Sequence, residues 1–146
     1  PPLKTALINP VTNSPEPLDL PGPTGESNRL TFSPRSAILC LGPGAKVTAA
    51  QAKAVTDLGG SALTTAGRLA PSKLTKIENI SGALFWGAEG EARAYAVALA
   101  ARPDAIVPLI TGLPDLAHVQ HERHICIDTT AAGGNAALLS EIGADE

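Results

Sequence analysis

The stretch Ser36-Ala37-Ile38-Leu39-Cys40-Leu41 constrains the fold more than any other part of the chain. Apolar residues fill both sets of alternating positions, so a strand here would bury both of its faces. Such a strand belongs inside a parallel sheet covered by helices on each side. The next residues agree with that reading. Gly42-Pro43-Gly44 turns the chain, and Thr48 is a candidate N-cap for a helix through Ala49 to Leu58. Gly59-Gly60 then predicts a helix end in the left-handed region that glycine enters freely.

The pattern repeats downstream. Ala62-Leu63-Thr64-Thr65 predicts a second strand, and Ala83-Leu84-Phe85-Trp86 a third. The segment Pro71 to Ile80 offers one or two helical turns from Ser72, with Leu74 and Ile77 inward. Glu91 to Ala101 predicts the clearest helix, its alanines allowing close approach to a sheet. Ala105 to Ile110 predicts a fourth strand, which Pro108 confines to a sheet edge or a bulge. Strand and helix alternating at this spacing predict an α/β fold, a small Rossmann-like parallel sheet with flanking helices.

Two flanking pieces read differently. Leu30 and Phe32 alternate with polar residues in a half-buried strand over 28–33, and 116–128 is strand-like as well. Together they predict an antiparallel two-stranded β-flap drawn from opposite ends of the chain. Residues 1–23 are crowded with proline, which lacks an N–H and fixes φ, and predict a linker. The expected organisation is therefore a linker over 1–23, a Rossmann-like domain with its flap over 24–130, and a terminal motif and tail over 131–146.

Composition narrows the function classes. Hydrophobic residues make up 44% of the chain but aromatics only 3%, so aliphatic side chains must fill the core. A net charge of −3 gives no electrostatic case for nucleic acid or an anionic membrane. No apolar run approaches the roughly 18 residues of a membrane span, and no signal peptide is visible. Methionine is absent even at position 1, which predicts a piece of a longer protein. Both cysteines, Cys40 and Cys126, sit in apolar strand-like runs and are expected to be buried, reduced thiols of a cytoplasmic protein.

Three stretches invite chemistry. Gly42-Pro43-Gly44 stands where a dinucleotide loop would, but the third glycine of that fingerprint falls on Val47. The acidic residue expected near the end of the second strand is missing among Ser61, Leu63, Thr64 and Thr65, and Pro43 removes an amide from the phosphate cradle. A ligand-free Rossmann-like domain is the reading of choice, with a free-standing NAD-binding domain as the alternative. His118, His121 and His124 are all the histidines of the chain; on a strand they would not converge, and on a helix they would offer a zinc site. No complete catalytic set is present, so no catalytic, cofactor or metal residue is assigned.

Ile125 to Asp128 opens as a strand and then becomes a run of small residues, which suits a backbone lying close against another surface. That run, with a second stretch, carries a family resemblance. Leu20-Pro21-Gly22-Pro23-Thr24-Gly25-Glu26-Ser27-Asn28 resembles the opening of the C-terminal domain of bifunctional proline utilization A flavoenzymes. Asp128 through Leu138 resembles the terminal motif of the same proteins, with Asp128 in place of a usual Asn and Glu141 to Glu146 extending past the usual end. Pro34-Arg35 and Lys76-Ile77-Glu78-Asn79-Ile80 fit the longer members too.

The resemblance implies a fold related to aldehyde dehydrogenases and a domain without catalytic duty of its own. The parent would pair an FAD-dependent proline dehydrogenase with an NAD-dependent glutamate semialdehyde dehydrogenase, linked by an internal channel, and this segment would hold neither cofactor. Its partner would be the aldehyde dehydrogenase module, with a further homo-oligomeric contact through the flap. Thr129, Thr130, Ala131, Ala132, Gly133, Gly134, Asn135 and Ala136 would seal the channel. The parent is expected in the cytoplasm, at most peripheral to the inner membrane.

Overall fold

The computed structural model describes residues 5–10 and 13–129, which divide into two compact units. The first comprises Pro1–Pro15 and Phe32–His121, and the second Glu16–Thr31 and Glu122–Glu146.

In the first unit, β4 (Ala37–Cys40) is buried at every position, as its two-faced apolar pattern predicts. It lies parallel to β5 (Ala62–Thr65) on one side and to β6 (Ile80–Leu84) on the other. The short strand β7 (Leu109–Ile110) adds in parallel to β6, and β1 (Thr5–Ile8) adds antiparallel to β5, giving the order β1-β5-β4-β6-β7. Two helices punctuate the strands, α1 (Gly44–Asp57) and α2 (Glu89–Ala100), with a 3₁₀ turn over Pro71–Lys76.

The period of β4 sorts the core into two layers. Leu39 packs with Leu74 of the 3₁₀ turn and with Tyr95 and Leu99 of α2. Ile38 and Cys40 pack with Ala52 and Val55 of α1 and with Val119. In the first layer Phe85 meets Tyr95 edge to face at 5.0 Å, and the Tyr95 hydroxyl donates to the Leu69 carbonyl at 2.8 Å. Helix α1 ends at a glycine with φ of +82°, Gly59. Next to it Gly60 leaves no room for a side chain: a Cβ would stand 2.5 Å from Val119.

Several sequence expectations need correction. Helix α1 begins at Gly44 rather than at Thr48, because Pro43 takes the N-cap position, where a missing N–H costs little. The fourth strand shrinks from Ala105–Ile110 to Leu109–Ile110, at the sheet edge; Pro108 has no N–H, though its carbonyl accepts from Ala83 N at 2.9 Å. Residues 116–119 are not strand but a turn of helix, α3 (Leu116–Val119), because Asp115 and His118 form a reciprocal capping box. The supposed linker also contains β1 and a second strand, β2 (Leu18–Leu20), the prolines falling between and beyond them.

In the second unit, β2 pairs antiparallel with the first part of β3 (Glu26–Pro34), Leu18 opposite Leu30 and Leu20 opposite Asn28. β8 (Gln120–Asp128) completes a sheet of order β2-β3-β8. The predicted flap is therefore three-stranded, not two-stranded. Alternation alone found its long strands; β2 was hidden because it is short and framed by Pro17 and Pro21.

Candidate functional site

The two motifs that carry the family resemblance meet in the second unit. Thr129 closes on Gly25, its backbone N–H donating to the Gly25 carbonyl at 2.8 Å and its hydroxyl to the same oxygen at 2.6 Å. Gly25 has φ of +87°, the left-handed geometry that makes glycine the natural residue at this turn. Farther along, the Thr31 hydroxyl donates to the Arg123 carbonyl at 3.2 Å, so this part of β8 runs antiparallel to β3.

Between those points lies a polar cluster on Asn28, the one residue of the second unit that is buried among those described. Its amide nitrogen donates to Glu26 Oε1 at 2.5 Å, and its Oδ1 lies 2.9 Å from His124 Nε2. An amide oxygen only accepts, so His124 presents Nε2–H to it. Gly22 belongs to the same cluster, because a Cβ there would come within 2.5 Å of Asn28 Nδ2. Gly22, Gly25, Glu26 and Asn28, drawn from the first motif, thus form the seat on which the start of the second is fixed. Of the sealing residues expected from sequence, Thr129 is part of this arrangement; Thr130, Ala131, Ala132, Gly133, Gly134, Asn135 and Ala136 lie outside the described residues.

The three histidines do different things. His118 sits in α3, where its Nδ1 accepts the Asp115 backbone N–H at 3.1 Å. His121 is exposed on β8, and His124 serves Asn28. Among the described residues no three metal-ligating side chains stand together.

The cysteines separate as well. Cys40 is fully buried as expected, and burial pushes its thiol up from 9.0 to about 12. Cys126 is exposed on β8, contrary to expectation. Shielding by its neighbours, then the negative charges of Glu26 and Asp128, push the Cys126 thiol up. An aromatic disulfide reagent at pH 8 is expected to titrate one thiol in the native protein and two after unfolding; Cys126→Ser should abolish the native signal. An unfolded chain releases the Cys40 proton near 9 while the native chain holds it. Stability is therefore expected to be unaffected by this group below pH 9 and to fall as pH rises toward 12, with Cys40→Ala flattening that limb of the pH curve.

A crevice of about 600 Å³ opens in the first unit, where the carboxyl ends of β4 and β5 face the start of α1. Rossmann-like sheets bind ligands at such a place. Its loop is committed elsewhere, however. The Gly42 N–H donates to Gln51 Oε1 at 2.9 Å, and Gln51 Nε2 returns a bond to the Gly42 carbonyl at 3.0 Å. Pro43 has no N–H to offer, and at the mouth Arg68 pairs with Glu91 at 2.6 Å. The Gln51 clamp was not legible in sequence: an alanine-rich helix gives no sign that one glutamine turns inward.

No family model matches. Bifunctional protein PutA of Escherichia coli (strain K12) is 33% identical over 145 residues, covering 83% of this chain and 11% of that protein. The Salmonella typhimurium (strain LT2) protein of the same name matches at the same identity and coverage. A crystal structure of bifunctional proline utilization A superposes with a TM-score of 0.52 at 25% identity, over 65% of this chain and 13% of that one. A point mutant of Bradyrhizobium japonicum proline utilization A gives 0.53 at the same identity and coverage. The chain therefore spans about a ninth of the length of the curated relatives it matches. The resemblance read from the two end motifs stands: the chain is similar to a small segment of proline utilization A, and its fold is mixed α/β like domains of those proteins.

Proposed function

We propose that this segment is a non-catalytic C-terminal domain of a bifunctional enzyme that oxidises proline to glutamate. It covers the aldehyde dehydrogenase module and helps seal the channel between the two active sites. The observation that carries the reading is the match to bifunctional PutA across 83% of the chain but only 11% of that protein. The junction of Thr129 with Gly25 supports it, since it ties the first residue of the terminal motif to the other motif of the resemblance.

In this reading the fold is aldehyde dehydrogenase-like, and the parent rather than this segment holds FAD and NAD. The flap sheet is the docking element: Leu18, Leu20, Ile125 and Ile127 are large apolar residues left exposed on it. Its partners are the dehydrogenase module of the parent and a second copy. The parent works in the cytoplasm; no described helix of this chain is long and apolar enough to cross a membrane. Removing Thr129 to Glu146 from the full-length protein is expected to slow coupled proline-to-glutamate turnover and release the semialdehyde intermediate to solution. Unchanged coupling and unchanged aldehyde dehydrogenase activity would refute the lid role.

The crevice favours a second reading, a nucleotide-binding α/β domain using Gly42 and Gly44. Calorimetry of this chain with NAD separates the two. Saturable micromolar binding would support the second, while the Gln51 clamp and Val47 argue for no heat of binding.

A further inference from the structure

A second cleft, distinct from the crevice at the start of α1, opens in the first unit between the approach to β4, the loop before β7 and α3. Its volume is about 160 Å³. Arg35, Ser81 and His118 supply its polar side, and Ile38, Pro108 and Ile110 its apolar side. Ile106 stands at the rim, 94% exposed.

Arg35 is half-buried and held at two points. Its backbone N–H donates to the Val119 carbonyl at 2.8 Å, and its Nε–H donates to the Gln120 carbonyl at 3.0 Å. Those bonds fix the base of the guanidinium and do not use its terminal nitrogens. Among the described residues no carboxylate pairs with it; the ion pairs join Lys53 to Asp57, Arg68 to Glu91 and His118 to Asp115. An arginine is always charged, so partial burial without a counter-charge costs free energy that an anion in the cleft would return. His118 adds a second donor. With Nδ1 accepting the Asp115 N–H at 3.1 Å, the ring carries its hydrogen on Nε2, and protonation leaves that hydrogen in place. Ser81 has no hydrogen to offer, because its hydroxyl donates to the Ser36 carbonyl at 2.6 Å.

Size and charge narrow the ligand. A water molecule takes roughly 30 Å³ of liquid, so the cleft has room for on the order of five or six non-hydrogen atoms. That excludes a nucleotide. A planar fork of donors matches a carboxylate in shape, and the isoleucine and proline walls suit an aliphatic chain. The Asp115 carboxylate, 2.7 Å from His118 Nδ1, disfavours an anion of higher charge.

We propose that this cleft binds a small monocarboxylate, its carboxylate on the terminal nitrogens of Arg35 with His118 Nε2–H as second donor, and its short aliphatic chain against Ile38, Pro108 and Ile110. The inference does not rest on the proposed function, and the site is separate from the flap.

The test titrates the whole chain, isotopically labelled, with sodium butyrate at constant ionic strength and follows its amide resonances by NMR. Saturable shifts are expected around Ser81, Ile110 and Ala117, which border the cleft. Butyramide keeps the chain without the charge, and sulfate keeps a charge without the chain; each is expected to bind at least about tenfold more weakly. Arg35→Gln should abolish saturation, and Arg35→Lys, which keeps the charge but loses the fork, should weaken binding at least about fivefold. Arg35→Gln also removes the bond to Gln120, so its urea midpoint is measured alongside, and the three ligands on the unaltered chain decide the matter if that variant does not fold. No saturable response to butyrate, or an equal response to butyramide, would overturn the site. Equal binding of sulfate would overturn the carboxylate as its ligand, and unchanged affinity in a folded Arg35→Gln chain would overturn the role of Arg35.

Discussion

Gln51→Leu is expected to lower the unfolding free energy by about 2–3 kcal/mol, although leucine favours a helix and suits a buried site. The loss comes from the loop, not from the helix. Gln51 is fully buried and satisfies Gly42 twice, accepting its N–H and donating to its carbonyl. The carbonyl keeps a second donor in the Trp86 N–H at 3.0 Å, but the Gly42 N–H loses its acceptor. A buried donor without an acceptor carries its full desolvation cost. Urea unfolding should show a lower midpoint at unchanged slope, the signature of altered stability without altered exposure. Gln51→Glu tests the same geometry from another side: a carboxylate accepts the N–H but meets the Gly42 carbonyl with no hydrogen to give. A neutral effect of both substitutions would mean the loop is not held by this residue.

Leu39→Ala is expected to cost more, about 3–4 kcal/mol. Leu39 has no exposed surface and lies at the centre of β4, between β5 and β6, in the layer that includes Tyr95 and Leu99. Neighbours fixed in a sheet on one side and a helix on the other have little freedom to collapse into the space left behind. For a domain of ordinary stability this is a large share of the total, so thermal unfolding should shift downward by several degrees or the variant should fail to accumulate. Leu39→Met is the contrasting case, conserving most of the volume with a loss below about 1.5 kcal/mol.

The parallel sheet was the most legible part of the chain. β4, β5 and both long helices follow from apolar runs, glycine punctuation and a period that changes between strand and helix, whereas β6 runs over Ile80–Leu84 and overlaps the strand expected at Ala83–Trp86 only at its end. Errors gathered where a side chain overruled the local pattern. Asp115 and His118 cap one another and turn 116–119 into helix, although the flanking residues read as strand. Pro108 confines the last parallel strand to two residues. Residues 1–23 misled for the opposite reason: prolines set the character of the stretch, while its short strands draw their stability from partner strands outside it, β5 for β1 and β3 for β2.

The candidate site divides in the same way. The sequence by itself determined that two motifs at opposite ends of the chain matter, that the dinucleotide fingerprint is broken at Val47, and that β4 is buried on both faces; each is a local property of residue type and spacing. Only the tertiary structure decided that Gly25 receives Thr129, that Asn28 is gripped between Glu26 and His124, that Gln51 occupies the amide a phosphate would need, and that Cys126 faces outward. Gly25 with Thr129 and Asn28 with His124 are pairings between groups far apart along the chain, and even for the near pairs, Asn28 with Glu26 and Gly42 with Gln51, hydrogen-bonding capacity alone does not name its partner. The partner is chosen when packing of the apolar strands brings particular donors and acceptors within reach.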